Sequence, residues 1–409
     1  MVYTIFNSDA NDNTFKTFAK KFKELYPDAE YRIQKYNTGS KTALIMVPND
    51  KTVEVSKELP TKIQEVDFYS TTVAVMTGYA PTTHNDPDFG DARNSWHFEP
   101  IQAYEAWDIT MGSPDVIVGI VDSYMDLSHP ELAGDRYILP HSIPKNTSDI
   151  YPDAGVREAE AGHGTLVTSV AVGNIDNNSG TSGIAPRCKY IPVSLGEHFN
   201  TVTIIEGLLY CLYHDADVIN LSVGSVFSPM SLDEQLDFAK NYGVEQEKVW
   251  DYVFKLAEER KCTIVWAAGN ENVFCAMDAS KRNPGTIRVS ALDTNLKKAD
   301  FSNFGNFSDK GIHESNISAP GVKIWGALPN NNYGAWDGTS FSAPIITGVV
   351  ALMKSINKDL TSEQIIEILE STGKPVSGTT TIGNIVQIKD ALLKVQETLP
   401  TTTTSATSM

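Results

Sequence analysis

The stretch DGTSFSAPIITG, residues 337 to 348, sets Ser340 between a glycine-led turn and a run that reads as a buried helix. Serine and threonine satisfy orphan amides at helix starts, so a cap accounts for the residue. A hydroxyl that attacks needs a base from elsewhere in the chain to take its proton. Three other stretches hold candidate partners. VIVGIVDSYMDLSHPEL carries Asp122 at the carboxyl end of an apolar strand, where ligands gather in open α/β sheets. AGHGTLVTSVAVGN places His163 between two glycines at the start of an apolar helix, and IVWAAGNEN ends a strand on Asn270. Taken singly, a strand-end Asp is a turn former, a lone His a structural residue, and an Asn after Gly another turn residue. All four fall at strand ends or helix starts of one sheet, and that conjunction points to nucleophilic chemistry.

The elements that must position them begin near residue 95. DVIVGIVDS, KYIPVSL, ADVINLSVG, CTIVWAAGN and TIRVSAL are near-continuous apolar runs, as a parallel sheet buried on both faces requires. Helices expected at 164–173, 202–214, 231–259, 339–356 and 361–371 cover it, giving an α/β domain over 95–397. Pro344 is expected in the first turn of its helix, where no donor is needed. Within residues 1–80, VYTIF reads as a strand and 12–25 as a helix with Phe15, Phe18, Phe22 and Leu25 on one face. EYRIQKY and TALIMVP are strands, DKTVEVSKEL a helix and EVDFYSTTVAVM a last strand. That order, β-α-β-β-α-β, predicts a small ferredoxin-like α+β unit. Residues 81–94 read as a linker, within the Gly-, Pro- and Asp-rich stretch 77–94, and residues 398–409 as a disordered tail.

At 409 residues, 41% of them hydrophobic, the chain holds one large domain and a small one. A formal net charge of −18 excludes a nucleic-acid polyanion as the main partner. No apolar run reads as long enough to span a bilayer, so no membrane partner is expected. The four cysteines, Cys188, Cys211, Cys262 and Cys275, show no CxxC pair or metal-ligand spacing, and Cys262 reads as a buried thiol. The start lacks a basic segment followed by an apolar one, which reads as cytoplasmic, or as secreted if a leader has been removed.

IVDSYMDLSHPEL, GHGTLVTS, AAGNEN and GTSFSAP follow one another in the order of the Asp, His, oxyanion and Ser motifs of the subtilisin-like serine proteases, and residues 84–397 resemble that family. The order excludes the α/β-hydrolase arrangement of Ser, acid, His. The resemblance implies a subtilisin-like fold and a serine endopeptidase acting through an acyl-enzyme on Ser340. His163 would be the base, Asp122 would fix the imidazole, and Asn270 with the Ser340 N–H would stabilise the oxyanion. Tyr124 stands where the family usually has Gly, a bulk that alters the turn or covers the site. The alternative is a catalytically silent protein of the same fold that binds or scaffolds.

The resemblance also implies a substrate edge at Ser222, Val223 and Gly224, on which a protein or peptide lies as an added strand. Ala267, Ala268 and Gly269 would form the other wall of the P1 pocket. Counted back from TIRVSA, Asp278 falls where members specific for basic residues carry an aspartate, so Arg or Lys is expected at P1. The ordinary reading is a loop Asp near Lys281 and Arg282. Glu131, Asn177 and the carbonyls of Ile175, Ser179 and Thr181 match a structural calcium site, with Glu replacing the more usual Asp. Residues 1–80 resemble the family's propeptide, an intramolecular inhibitor cut near 77–84; the other reading is a permanent regulatory domain. Residues 228–250 exceed what the family needs and read as a solvated helical insert.

Overall fold

The computed structural model describes residues 2–6, 10–28, 31–37, 41–48, 51–66, 68–72, 84–156 and 158–399. The chain forms two compact units, Met1–Ala80 and Pro81–Met409. Most of the 77–84 segment expected to be cut, and the tail from 400, lie outside the described residues.

The first unit runs β1 (Val2–Phe6), α1 (Asp12–Leu25), β2 (Arg32–Asn37), β3 (Thr42–Met46), α2 (Thr52–Lys62) and β4 (Phe68–Thr72). Its sheet order is β2-β3-β1-β4 with every neighbour antiparallel, the ferredoxin-like arrangement. Asn11 caps α1 by accepting the Asn13 and Thr14 amides. Phe15, Phe18 and Phe22 are buried against Phe6, Ile45 and Leu59, whereas Leu25 falls off that face and is exposed.

The second unit does not begin with a free linker. Asp86 is buried and accepts the N–H groups of Asp176 (2.8 Å) and Asn177 (2.9 Å). The Trp325 indole donates to Asp88 at 2.7 Å. Residues 84–94 are thereby tied to the body of the unit, because their aspartates meet buried donors. Two short helices follow, α3 (Ala92–Ser95) and α4 (Ala103–Trp107), then β5 (Ile117–Asp122), β6 (His141–Ser142), α5 (Glu158–Val172), β7 (Lys189–Ser194), α6 (Thr201–Tyr213) and β8 (Val218–Leu221). The chain continues through α7 (Leu232–Asn241), α8 (Val244–Glu259), β9 (Thr263–Ala267), β10 (Ile287–Leu292), β11 (Asn306–Phe307), β12 (Ile312–His313) and β13 (Ile317–Pro320). It ends with β14 (Ile324–Leu328), β15 (Asn332–Trp336), α9 (Thr339–Ile356), α10 (Ser362–Thr372), β16 (Asn384–Ile385) and α11 (Ile388–Glu397).

Eight strands pair in the order β16-β13-β10-β9-β8-β5-β7-β6, all parallel. One face carries α5, α9 and α11, the other α6 and α8, so the fold is α/β with two apolar layers. From β5 the chain goes first to β6 and β7 on one side and then to β8 on the other. The carboxyl end of β5, which is Asp122, therefore stands at the switch point.

Several expectations change here. The helix expected over 231–259 is two, broken at Gly243, whose φ of 75° a glycine adopts without strain. The insert is not merely solvated: Gln235 is buried and accepts the Phe274 N–H at 2.7 Å, and Trp250 enters the core. The helix α9 reaches bilayer-spanning length and apolarity, with 18 residues and mean hydropathy 1.4, against the expectation that no run does. It is 83% buried and forms the centre of one layer of the core. All four cysteines are buried thiols.

Candidate active site

Asp122 ends β5 with no solvent exposure. Its Oδ1 receives the Ser123 N–H at 2.7 Å and lies 2.7 Å from His163 Nδ1. His163 sits well inside the first two turns of α5 rather than at its start, since that helix begins at Glu158. The close approach depends on the next residue: a Cβ on Gly164 would stand 2.5 Å from the Tyr124 carbonyl and 3.2 Å from Asp122 Oδ1. The Gly164 N–H bonds the Ser123 hydroxyl at 3.2 Å, a second tie between strand and helix that sequence reasoning missed.

Ser340 is not the cap of α9. Gly338 occupies the cap position without a side-chain bond, and Ser340 is the second helical residue. Its amide has no acceptor within the helix. Its Oγ donates to the Ser222 carbonyl at 3.4 Å and faces the cleft that His163 also lines. Pro344 lies in the second turn, not the first, so its missing N–H leaves the Ser340 carbonyl without a helical donor. The Ser222 hydroxyl fills that role at 2.7 Å. Ser222 is in turn held by Asn220 Nδ2 at 3.0 Å, and Asn220 by the Thr347 hydroxyl at 2.9 Å. The backbone of Ser340 is thus anchored by β8 and the residue after it through a gap that proline opens.

Asn270 lines the same cleft. Its Oδ1 accepts both the N–H and the hydroxyl of Thr339 at 2.9 Å, leaving Nδ2 as the unspent donor end. Asn303, absent from the sequence expectations, holds the turn around it. Its Oδ1 accepts the Glu271 and Val273 amides at 3.0 Å, and its Nδ2 donates to the Ala268 carbonyl at 3.1 Å. Gly269, at φ 115°, passes so near that a Cβ would stand 2.2 Å from Asn303 Nδ2. No motif marks Asn303, because its role arises only where the loop after β10 meets the end of β9.

One cleft therefore presents a carboxylate-bound imidazole, a hydroxyl at a helix start, and two donors converging beside it: the arrangement of acyl transfer. A sequence profile of the Subtilase family matches residues 113–391. The chain belongs to the subtilase family. It is 28% identical to thermitase of Thermoactinomyces vulgaris over 307 residues, 73% of this chain and 94% of thermitase. It is 29% identical over 280 residues to a thermophilic serine proteinase of a Bacillus species, covering 68% of this chain and 61% of that protein. The chain thus spans less than two thirds of the second relative. Among solved structures it resembles proteases from Pseudoalteromonas arctica at TM-score 0.62 and 25% identity, covering 77% of this chain and 100% of that one.

In this subtilase, Ser222, Val223 and Gly224 form one side of the cleft, and Ala267 and Gly269 the other; Ala268 is buried behind them. Asp278 does not line the cleft as expected. Its Oδ1 takes the Ser280 amide (3.1 Å) and hydroxyl (2.7 Å), and its Oδ2 takes the Ser225 amide (3.0 Å). Burial pushes this carboxyl up, but Lys281 and those donors outweigh it and hold it below the usual range. The cleft is lined instead by Lys281, so an aspartate open to a substrate cation is not what the fold presents. Tyr124 turns away from the cleft. It is buried beneath Lys145, whose ammonium lies 5.9 Å from the ring centre.

Of the residues expected to hold calcium, Glu131, Asn177, Ser179 and Thr181 are linked by hydrogen bonds, in part through Tyr333. Glu131 is fully buried; its Oε1 accepts the Tyr333 hydroxyl (2.8 Å) and the Thr181 N–H (3.3 Å), while Oε2 has no hydrogen-bond partner among the described residues. Burial pushes its carboxyl up to about 8. The Asn177 side-chain oxygen accepts the Ser179 N–H at 2.8 Å, and the Thr181 hydroxyl is buried and unpartnered. Asp86, tied to the same loop, is a carboxylate the sequence expectation lacked. An orphaned carboxylate oxygen among further oxygens fits a hard cation, although no cluster of three or more His, Cys, Asp or Glu occurs among the described residues.

Proposed function

We propose that this subtilase is a serine endopeptidase that cleaves peptide bonds of protein or peptide substrates through an acyl-enzyme on Ser340. The observation that carries the reading is the 2.7 Å contact of His163 Nδ1 with Asp122 Oδ1, in the cleft that also holds Ser340. The carboxylate keeps the Nδ1 proton in place, so Nε2 is the basic nitrogen that takes the Ser340 proton as Oγ attacks the carbonyl carbon. Negative charge then grows on the carbonyl oxygen, where the Ser340 N–H and Asn270 Nδ2 donate, aided by the positive end of α9. His163 returns the proton to the leaving amine, then activates the water that releases the acyl group. The buried position of Tyr124, outside the cleft lining, weighs against a silent scaffold, the reading that an uncleaved amino-terminal unit would favour.

Two further roles belong to this reading. Residues 1–80 act as an intramolecular inhibitor removed by self-cleavage near 77–84, a role supported by their compact ferredoxin-like unit. Calcium, held by Glu131, Asn177 and the carbonyls of Ile175, Ser179 and Thr181, supplies rigidity to the loop and takes no part in catalysis. A serine-directed fluorophosphonate is expected to label the protein and not its Ser340→Ala variant. Absence of label on processed wild-type protein refutes the peptidase. By intact mass, wild-type protein should lose its first 77–84 residues while Ser340→Ala stays whole; a Ser340→Ala chain that shortens in isolation rules out self-cleavage.

A further inference from the structure

Resting on the peptidase reading, the P1 pocket carries a second message. Lys281 is 2% exposed, yet its ammonium reaches the cleft wall. A Cβ placed on Gly224, in the substrate edge, would stand 2.6 Å from Lys281 Nζ and 3.4 Å from Asp278 Oδ2, so the ammonium is the nearer of the two charges. A buried ammonium requires acceptors. Among the described residues its one hydrogen-bond acceptor is the Ala268 carbonyl, at 3.3 Å. The nearest carboxylate oxygen of its ion partner, Asp278 Oδ2, lies at 3.8 Å, beyond a hydrogen bond, and already accepts the Ser225 amide. With three donors on an ammonium, two remain unspent beside the place where a P1 side chain enters. Three other carboxylates line the cleft, Asp122, Glu197 and Glu271. Asp122 is bound to His163 and Glu271 Oε2 takes the Asn270 amide (3.0 Å) and Asn303 Nδ2 (3.1 Å), and among the described residues Lys281 is ion-paired with Asp278 rather than with any of the three.

We propose that Lys281 is the specificity-determining residue at the base of the P1 pocket and that this subtilase cleaves separate substrates preferentially after acidic residues. Residues 77–84 hold no Asp or Glu, so self-cleavage there relies on intramolecular presentation and not on this contact. A P1 carboxylate would accept the two unspent ammonium protons in charge-assisted bonds. A P1 Arg or Lys would bring a second cation against a buried one, the opposite of the preference read from Asp278 alone. Aliphatic and aromatic side chains would enter a pocket whose floor carries an unpaired donor, which penalises them without excluding them.

The test uses peptides identical except for Glu, Asp, Gln, Leu, Phe or Arg at P1, with wild-type protein expressed as the whole chain and allowed to process itself. Expected kcat/KM for Glu or Asp exceeds that for Leu, Phe and Arg by tenfold or more. In Lys281→Met, whose side chain has similar length, the ratio of Glu to Leu should fall at least tenfold. Wild-type enzyme that takes fluorophosphonate label but cleaves after Leu, Phe or Arg as fast as after Glu overturns the inference and leaves the peptidase standing. A preserved Glu-to-Leu ratio in folded Lys281→Met does the same. Protein that takes no label overturns both.

Discussion

The anchoring of Ser340 across the cleft yields a quantitative expectation. The Ser222 hydroxyl donates to the Ser340 carbonyl at 2.7 Å and accepts from Asn220 Nδ2 at 3.0 Å. Ser222 and Asn220 are both buried. Ser222→Ala strands two polar groups, each costing about 1–3 kcal/mol when left unsatisfied. We expect a loss of about 2–4 kcal/mol, in the lower part of the summed range because Ser340 stands at the edge of an open cleft. The carbonyl depends on Ser222 because Pro344, four residues on, has no N–H to give it. Pro344→Ala restores that donor. In the Ser222→Ala background it should recover about 1 kcal/mol more than in the parent, where the carbonyl already has a partner. The cycle is to be measured by urea unfolding in a Ser340→Ala background, so that proteolysis does not consume the unfolded chain. Independent sites add to within about 0.5 kcal/mol. Strict additivity would show that the serine and the missing proline N–H are unrelated, and the anchoring argument would be wrong.

Two other outcomes follow from buried groups. His97 is enclosed with Nδ1 unpartnered, and burial pushes its imidazole down to about 3. Between pH 6.5 and about 3 the unfolded chain binds a proton that the folded one refuses, so this group makes stability rise with pH there. The slope is about 1.4 kcal/mol per pH unit, so that about 2 kcal/mol is lost by pH 5 relative to pH 8. His97→Gln should reduce the difference in urea midpoint between those two pH values, and equal differences in both proteins would count against it. Calcium should raise the melting temperature, worth about 2.7 kcal/mol at a hundredfold excess over its dissociation constant. Glu131→Gln should blunt the effect, and identical melting with calcium and with chelator would remove the site.

Much of the fold was legible because the parallel strands are buried on both faces and read as unbroken apolar runs. The helix α9 was placed at its observed bounds, Thr339–Ile356, since a glycine-led turn precedes it and apolar residues fill its length. Strand β13 and the β14–β15 hairpin were not anticipated. ISAP is only four residues long and ends on a proline, and it is a strand because β10 and β16 pair with it on either side. The insert after β8 looked solvated because its apolar residues are sparse; it packs because Phe274 and Met277 give them a surface.

By itself the sequence determined which residue types stand at the ends of the strands. Asp122, His163, Asn270 and Ser340 stood out because their residue types suit acyl transfer and their order along the chain matches the subtilase motifs. Only the tertiary structure decided what surrounds them. Asp278 and Lys281 are three residues apart, and no periodicity says which of two opposite charges will meet the substrate. Packing does: both charges stand beside Gly224, but Ser225 and Ser280 saturate the carboxylate with hydrogen bonds, whereas the nearer ammonium has one carbonyl acceptor among the described residues. Asn303 and the Ser222–Pro344 pairing were equally hidden, because a hydrogen bond between segments 30 to 120 residues apart has no local signature.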